Sequence, residues 1–293
     1  MRVDDIGTLR RIIAEFKANG RTISFVPTMG ALHDGHKSCI ETARKQGDVL
    51  VVSIYVNPQQ FAPNEDYGKY PRMLDDDLAF CRRLGCDVVF SPDDDEMYPS
   101  AQNAWVTVER LTTPLCGRNR PDHFRGVATV VAKLFHLVDP DVAVFGQKDA
   151  QQAVVIREMV RQLNLPVSIV LSPTIRETDG LAVSSRNRYL SADHRKRAAA
   201  IYRSLCAGKQ LLEEGERNTN LITGVVRDHL FAAAIHEIEY IELLKATDLS
   251  LMNRVQGKVI LAVAIKLGAT RLIDNLVLDV GDDGLVEEGM LFC

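Results

Sequence analysis

No uninterrupted apolar stretch in these 293 residues approaches the ~20 needed to cross a bilayer as a helix, which excludes anchoring by a transmembrane helix. The opening segment, MRVDDIGTLRR, lacks the apolar run of a signal peptide, so the expected location is the cytoplasm. Charge of one sign is also missing. The first 176 residues hold 21 Lys and Arg against 22 Asp and Glu, and the remainder 14 against 17, so neither half offers the basic face of a nucleic-acid binder. No C-x-x-C pair occurs among Cys39, Cys81, Cys86, Cys116, Cys206 and Cys293, and a chain of this size needs no disulfide staples. They read as reduced packing residues. Repeats and low-complexity tracts are absent as well. With 46% hydrophobic and 25% charged residues, the composition is that of a folded globular protein large enough for two domains.

The first 176 residues alternate short β-branched runs with amphipathic stretches, the pattern of βα units around a parallel sheet. Strands are expected over 22–26, 49–55, 87–90, 141–145 and 167–171, and helices over 35–46, 75–84, 126–138 and 149–164. The strands are nearly all apolar, as in a sheet covered on both faces. Beyond residue 176 come two polar-rich helices, 192–214 and 220–234, and strands at 240–244, 258–265 and 271–277. The expected architecture is therefore an α/β, Rossmann-like nucleotide-binding domain over 1–176, followed by a smaller α+β domain over 177–293. The stretch 176–187 reads as a hinge, and the acidic tail after Asp279 as poorly ordered.

Chemistry concentrates at three strand ends and in the hinge stretch 176–187. In PTMGALHDGH, after the first strand, His33 and His36 fall on one side of a nascent helical turn, beside free N–H groups and the positive end of the helix dipole. Such imidazoles can donate to phosphate oxygens. The continuation to Cys39 leaves zinc as a competing use, without a fourth ligand at metal-like spacing. After the second strand, the carboxamides of Asn57 and Gln60 suit a neutral, hydroxylated substrate, while Gln59 reads as a solvated residue of the turn that Pro58 starts. In FGQKDAQQ, Gly146 permits close backbone approach, Lys148 supplies a point charge for a phosphate, and Asp149 can cap a helix or hold a ribose hydroxyl. Gln152 lies one helical turn further on. Ser184, Ser185 and Arg186 offer two hydroxyls and a guanidinium suited to β- and γ-phosphates.

Taken together, PTMGALHDGH at 27–36, VSIYVNPQQF at 52–61, YPR at 70–72, HFRGVATVVAKLF at 123–135, FGQKDAQQ at 145–152, DGLAVSSRNRYL at 179–190 and KLGATRLIDN at 266–275 resemble the pantothenate synthetase family, within the H-x-G-H nucleotidyltransferases. Departures are Gln147, where Glu is frequent, Ala150, where an aromatic is frequent, Asp122 in place of Gly, and Cys116. The resemblance implies an ATP-dependent ligase that joins pantoate to β-alanine through pantoyl adenylate, releasing AMP and pyrophosphate. It implies His33, His36, Lys148, Ser184, Ser185 and Arg186 as the catalytic donors. ATP would also meet Met29, Gly30, Gly146, Asp149 and Ile175; pantoate or β-alanine would meet Gln60, Gln152, Asn57, Tyr70 and Met29. Mg2+ would accompany ATP, near Asp76 or Asp77, and the chain would form a homodimer. Alternatives are a nucleotidyltransferase acting on a phosphate ester, a zinc hydrolase built on His33, His36 and Cys39, and a non-catalytic nucleotide sensor.

Overall fold

Almost every strand residue in the first part of the chain is apolar because both faces of its sheet are covered. A computed structural model describes residues 1–63, 65–281 and 283–292, so Cys293 lies outside the described residues. Strands β1 (Arg2–Val3), β2 (Ile23–Thr28), β3 (Val49–Ile54), β4 (Val88–Phe90), β5 (Val142–Gly146) and β6 (Ser168–Ser172) form one parallel sheet in the order β1-β4-β3-β2-β5-β6. Between them run α1 (Ile6–Ala18), α2 (Asp34–Arg44), α3 (Leu74–Arg83), α4 (Asp94–Met97), α5 (Cys116–Asn119), α6 (His123–Val138) and α7 (Ala150–Gln162). Strand alternation sends Phe25, Val49, Val51 and Phe90 to the face packed by α1, α6 and α7. Val26, Leu50, Val52 and Val89 point to the opposite face, against Ile40 and Ala43 of α2 and Cys81 of α3.

The chain winds from β2 toward β3 and β4, then returns to add β5 on the other side of β2. The carboxyl ends of β2 and β5 therefore flank the switch point of the sheet, where open α/β folds bind ligands.

The second part holds α8 (Ala192–Ala198), α9 (Ala200–Glu213) and α10 (Thr219–Ala232), then an antiparallel sheet of β7 (Ile238–Lys245), β8 (Gly257–Leu267), β9 (Thr270–Val280) and β10 (Val286–Glu288) in the order β10-β9-β8-β7. One face of this sheet, with Leu243, Leu261, Val263 and Leu276, packs on α9 and α10. The other, with Tyr240, Leu244, Ala262, Ala264 and Val277, belongs to the same apolar cluster as α6 and α7. The parallel and antiparallel sheets thus share a dry joint.

Several expectations are refined. Strand β1, helix α1, helices α4 and α5 and strand β10 go unseen in the sequence, and 192–214 breaks at Ala199 into two helices. The tail expected to be disordered instead pairs Val286–Glu288 with β9 and buries Leu291. The stretch 176–187 is no loose linker. The N–H of Val183 donates to Ile175 O, and that of Glu177 to Leu181 O, closing a hairpin. Arg195 grips Glu177 and Asp179, each at 2.6 Å, and Arg176 pairs with buried Asp274 at 2.6 Å. Gly180, at φ +93°, faces Tyr202 so closely that a Cβ would stand 2.4 Å from its ring. Cys39, Cys81, Cys86, Cys116 and Cys206 are free thiols. No helix among the described residues is long and apolar enough to cross a membrane.

Candidate active site

The loop from β2 into α2 is shaped by a carboxylate behind it. Gly30 (φ +77°) and Ala31 (φ +49°) both adopt left-handed backbone, and Asp77, at the start of α3, accepts the N–H groups of Ala31 at 2.8 Å and Leu32 at 2.7 Å. A Cβ on Gly30 would stand 2.8 Å from Asp77 Oδ2. Burial pushes the Asp77 carboxyl upward, and the two N–H donors oppose that shift. Asp77 is thus a loop anchor whose two oxygens are engaged by main chain, while Asp76 is exposed; neither lines the cleft. Gly30 likewise lies behind the wall rather than on it.

The anchored loop delivers His33 as the N-cap of α2. His33 Nδ1 accepts the Gly35 N–H at 3.1 Å, and His36 Nδ1 accepts the His33 N–H at 3.3 Å, a capping box made of imidazoles. Because both Nδ1 atoms accept, the proton of each neutral ring sits on Nε2. The ring centroids are 4.1 Å apart. Burial, then the Lys148 ammonium, lowers the His33 pKa to about 4. Burial, then His33 and Lys148, holds His36 well below its ordinary value. At neutral pH the pair consists of two uncharged N–H donors. Burial, above all, pushes the Cys39 thiol up to about 11.

After β5, a single 3-10 turn, Gln147–Asp149, carries the neighbouring cation. The cleft, about 270 Å3, is lined by Arg120, Lys148, Arg186 and Arg271 among its cations. Arg120 pairs with Glu65 at 2.5 Å, Arg186 with Asp66 at 3.0 Å and Arg271 with Glu239 at 2.8 Å. Lys148 has no carboxylate partner among the described residues.

Beyond β3, Asn57 is buried and fully engaged. Its Oδ1 accepts from Tyr98 Oη at 2.9 Å and from the Gln59 N–H at 3.2 Å, and its Nδ2 donates to Gln60 Oε1 and Gly126 O, both at 3.2 Å. Asn57 therefore orients Gln60, whose Nε2 is left with only the weak acceptor Met29 Sδ at 2.8 Å. Gly126 permits this arrangement, since a Cβ there would lie 2.1 Å from Gln59 O. His123 Nδ1 lies 2.8 Å from Gln60 O, and Arg120 also donates to that carbonyl, at 3.2 Å. Burial, then Arg120, brings His123 down to about 4.

The remaining wall comes from the second part of the chain. Ser184 Oγ accepts the Arg186 N–H at 3.3 Å, Ser185 Oγ lies 3.3 Å from Tyr70 Oη, and the Arg186 guanidinium lies over the Tyr70 ring at 5.7 Å. Ile175, Gly146, Asp149 and Gln152 complete the lining. Of the residues expected at the site from the sequence, Gly30, Asp76 and Asp77 stand outside this wall, as does Gln59 of the turn. Arg120, His123, Arg271 and Asn275 escaped that reading; HFRG and KLGATRLIDN contain three of them, but only packing shows them facing the cleft. Among the described residues no three His, Cys, Asp or Glu side chains gather to hold a metal ion.

Comparison with known proteins agrees with this geometry. Residues 2–277 match the family model of pantoate-beta-alanine ligase. A pantothenate synthetase of Carboxydothermus hydrogenoformans is 49% identical over 277 residues, covering 94% of this chain and 98% of that protein. One from Caldicellulosiruptor saccharolyticus is 48% identical over 278 residues, covering 95% and 99%. The crystal structure of the Thermus thermophilus enzyme superposes with a TM-score of 0.90 at 42% identity, covering 94% of this chain and 99% of that one. A Francisella tularensis pantoate-beta-alanine ligase, crystallised with β-γ ATP and β-alanine, gives a TM-score of 0.77 at 32% identity, covering 94% and 96%. With the family's model spanning nearly the whole chain and its solved members sharing this fold, the chain belongs to the pantoate-beta-alanine ligase family.

Proposed function

We propose that the cleft makes pantothenate in two steps: pantoate attacks the α-phosphorus of ATP to give pantoyl adenylate and pyrophosphate, and β-alanine then displaces AMP. The observation that carries this reading is the Lys148 ammonium, without a carboxylate partner among the described residues, beside two imidazoles held as Nε2–H donors at the sheet's switch point. A carboxylate of pKa ~4 is already ionised at neutral pH, so the first step needs no base. It needs donors aimed at the charge that develops on the phosphates, and Lys148, His33 and His36 are such donors, fixed before substrate arrives. Ser184, Ser185 and Arg186 face the β- and γ-phosphates, while Met29, Gly146, Asp149 and Ile175 receive the nucleoside and its ribose.

Gln60 and Gln152 hold pantoate, with Asn57 orienting Gln60 and Tyr70 closing the wall. β-Alanine enters last in this scheme; that the Francisella tularensis ligase was crystallised with β-alanine supports it as a substrate of the family's cleft. Its ammonium, pKa ~10, must lose a proton before attack. His36 is poorly suited to take it, since its Nδ1 already accepts a main-chain N–H and its Nε2 carries the proton; solvent is the better acceptor. Among the described residues no three acidic or imidazole side chains form a cage for Mg2+, so in this scheme the ion comes with ATP's phosphates and no step rests on it. Residues 1–176 bind ATP and pantoate, 177–293 cover them, and the active species is a cytoplasmic homodimer joined through 1–176, which sedimentation at micromolar concentration tests.

The deciding experiment is exchange of labelled pyrophosphate into ATP. It should require pantoate and proceed without β-alanine, and fall by about 10²-fold in a folded Lys148→Ala variant. Exchange that strictly requires β-alanine would refute the two-step order.

A further inference from the structure

The turn that carries Lys148 is held from two sides. On its main-chain side, Asn275 Nδ2 of β9 donates to Gln147 O at 3.2 Å and Lys148 O at 2.8 Å. On its side-chain side, buried Gln147 grips the tail: its Nε2 donates to Gly289 O at 3.0 Å, and its Oε1 accepts the Leu291 N–H at 3.0 Å. One carboxamide therefore satisfies an acceptor and a donor two residues apart, as a neighbouring strand would. A carboxylate could accept from Leu291 but could not donate to Gly289.

The tail is itself secured. Residues Val286–Glu288 pair with Leu278–Val280 of β9, and the Gly289 N–H donates to Val277 O at 3.0 Å. Lys258 Nζ donates to Met290 O at 3.2 Å, Leu291 is buried in the cluster that includes Ala150 and Val154 of α7, and the Arg157 guanidinium of α7 stacks over Phe292 at 4.2 Å. All of β10 and the segment after it lie beyond residue 277, where the family match ends. This part of the chain reaches the back of the active-site turn without touching the cleft.

We propose that residues 286–292 act as a strap which, through the Gln147 carboxamide, fixes the turn bearing Lys148, making Gln147 a positioning residue for the ammonium. The inference rests on the role given to Lys148 above. The physical reason is that a lysine side chain has four rotatable bonds and here no ion-pair partner among the described residues, so its only rigid reference is the backbone it leaves. A turn free to shift by about an ångström would move the charge away from the phosphates it must meet.

The test is pyrophosphate exchange at saturating ATP and pantoate in Gln147→Met, an unbranched replacement that keeps volume and loses both hydrogen bonds. The maximal rate should fall about tenfold with the pantoate KM unchanged, and the Leu291 amide should lose protection from hydrogen exchange. Phe292→Ala, which loosens the strap without touching Gln147, should show the same signature at about threefold, and it carries the test if Gln147→Met does not fold. Placed in a Lys148→Ala background, each change should have no further effect on the rate, because the group it positions is gone. A full maximal rate in the strap variants, or losses that multiply with that of Lys148→Ala, would overturn the proposal while leaving the function of Lys148 standing. Undiminished exchange in Lys148→Ala alone would instead strike the functional reading, and the strap's purpose with it.

Discussion

His36 Nδ1 accepts the main-chain N–H of His33 at 3.3 Å, and His33 caps the same helix through Gly35, so the first turn of α2 fixes the tautomer of both rings. A carboxylate partner would have made them cations; backbone partners keep them neutral donors. His36→Ala should lower the exchange rate by about 10²-fold and, by removing half of the capping box, lower stability by about 1 kcal/mol. Paired kinetic and denaturation measurements check both; a normal rate in the folded variant would remove His36 from the site.

The ligand-free protein should lose stability as the pH falls from about 6.5 toward about 4. In the unfolded chain His33 and His123 take up protons near 6.5, whereas in the folded one they do so at about 4. Between those values the unfolded state binds more protons, so the contribution is complete above 6.5 and lost on acidification. Thermal midpoints measured from about pH 7.5 to about pH 4.5 should show the decline, and His123→Gln should flatten it. ATP should raise the titration of His33, visible in imidazole NMR shifts, because phosphate charge favours the imidazolium.

Asp77→Asn should cost about 1–3 kcal/mol, since an amide oxygen can serve the Ala31 and Leu32 N–H groups less well than two carboxylate oxygens. Its activity should fall because the loop leading to His33 relaxes. Raising Mg2+ about tenfold should restore nothing; recovery would return Asp77 to the role of metal ligand.

Gln60→Ala should raise the pantoate requirement far more than that for ATP, by the ~1–3 kcal/mol of an unpaired substrate hydrogen bond. Initial-rate kinetics in both substrates decide this, and a defect confined to ATP would place Gln60 elsewhere. Gly126→Ala should be worse for the fold than for any one substrate, since its Cβ would meet Gln59 O at 2.1 Å.

The sequence alone pointed to the parallel sheet, five of whose six strands show as short apolar runs alternating with amphipathic helices, and to the edge where its chemistry lies, because strand ends in such a sheet open on one edge. His33, His36, Gln60 and Lys148, each at such an end, line the cleft for that reason. What the tertiary structure decided is how each of them is held. Asp77, which the family resemblance sets near a metal and the run Asp75–Asp77 sets at a helix start, holds the Ala31 and Leu32 N–H groups only because α3 is packed behind β2. The tail after Asp279 reads as disordered because its composition is polar, yet β9 offers it an unpaired edge and Gln147 a complementary amide. Arg120 and His123 point inward only because α6 abuts the turn at Gln60. Local pattern reports period and polarity; partners distant along the chain are supplied by packing.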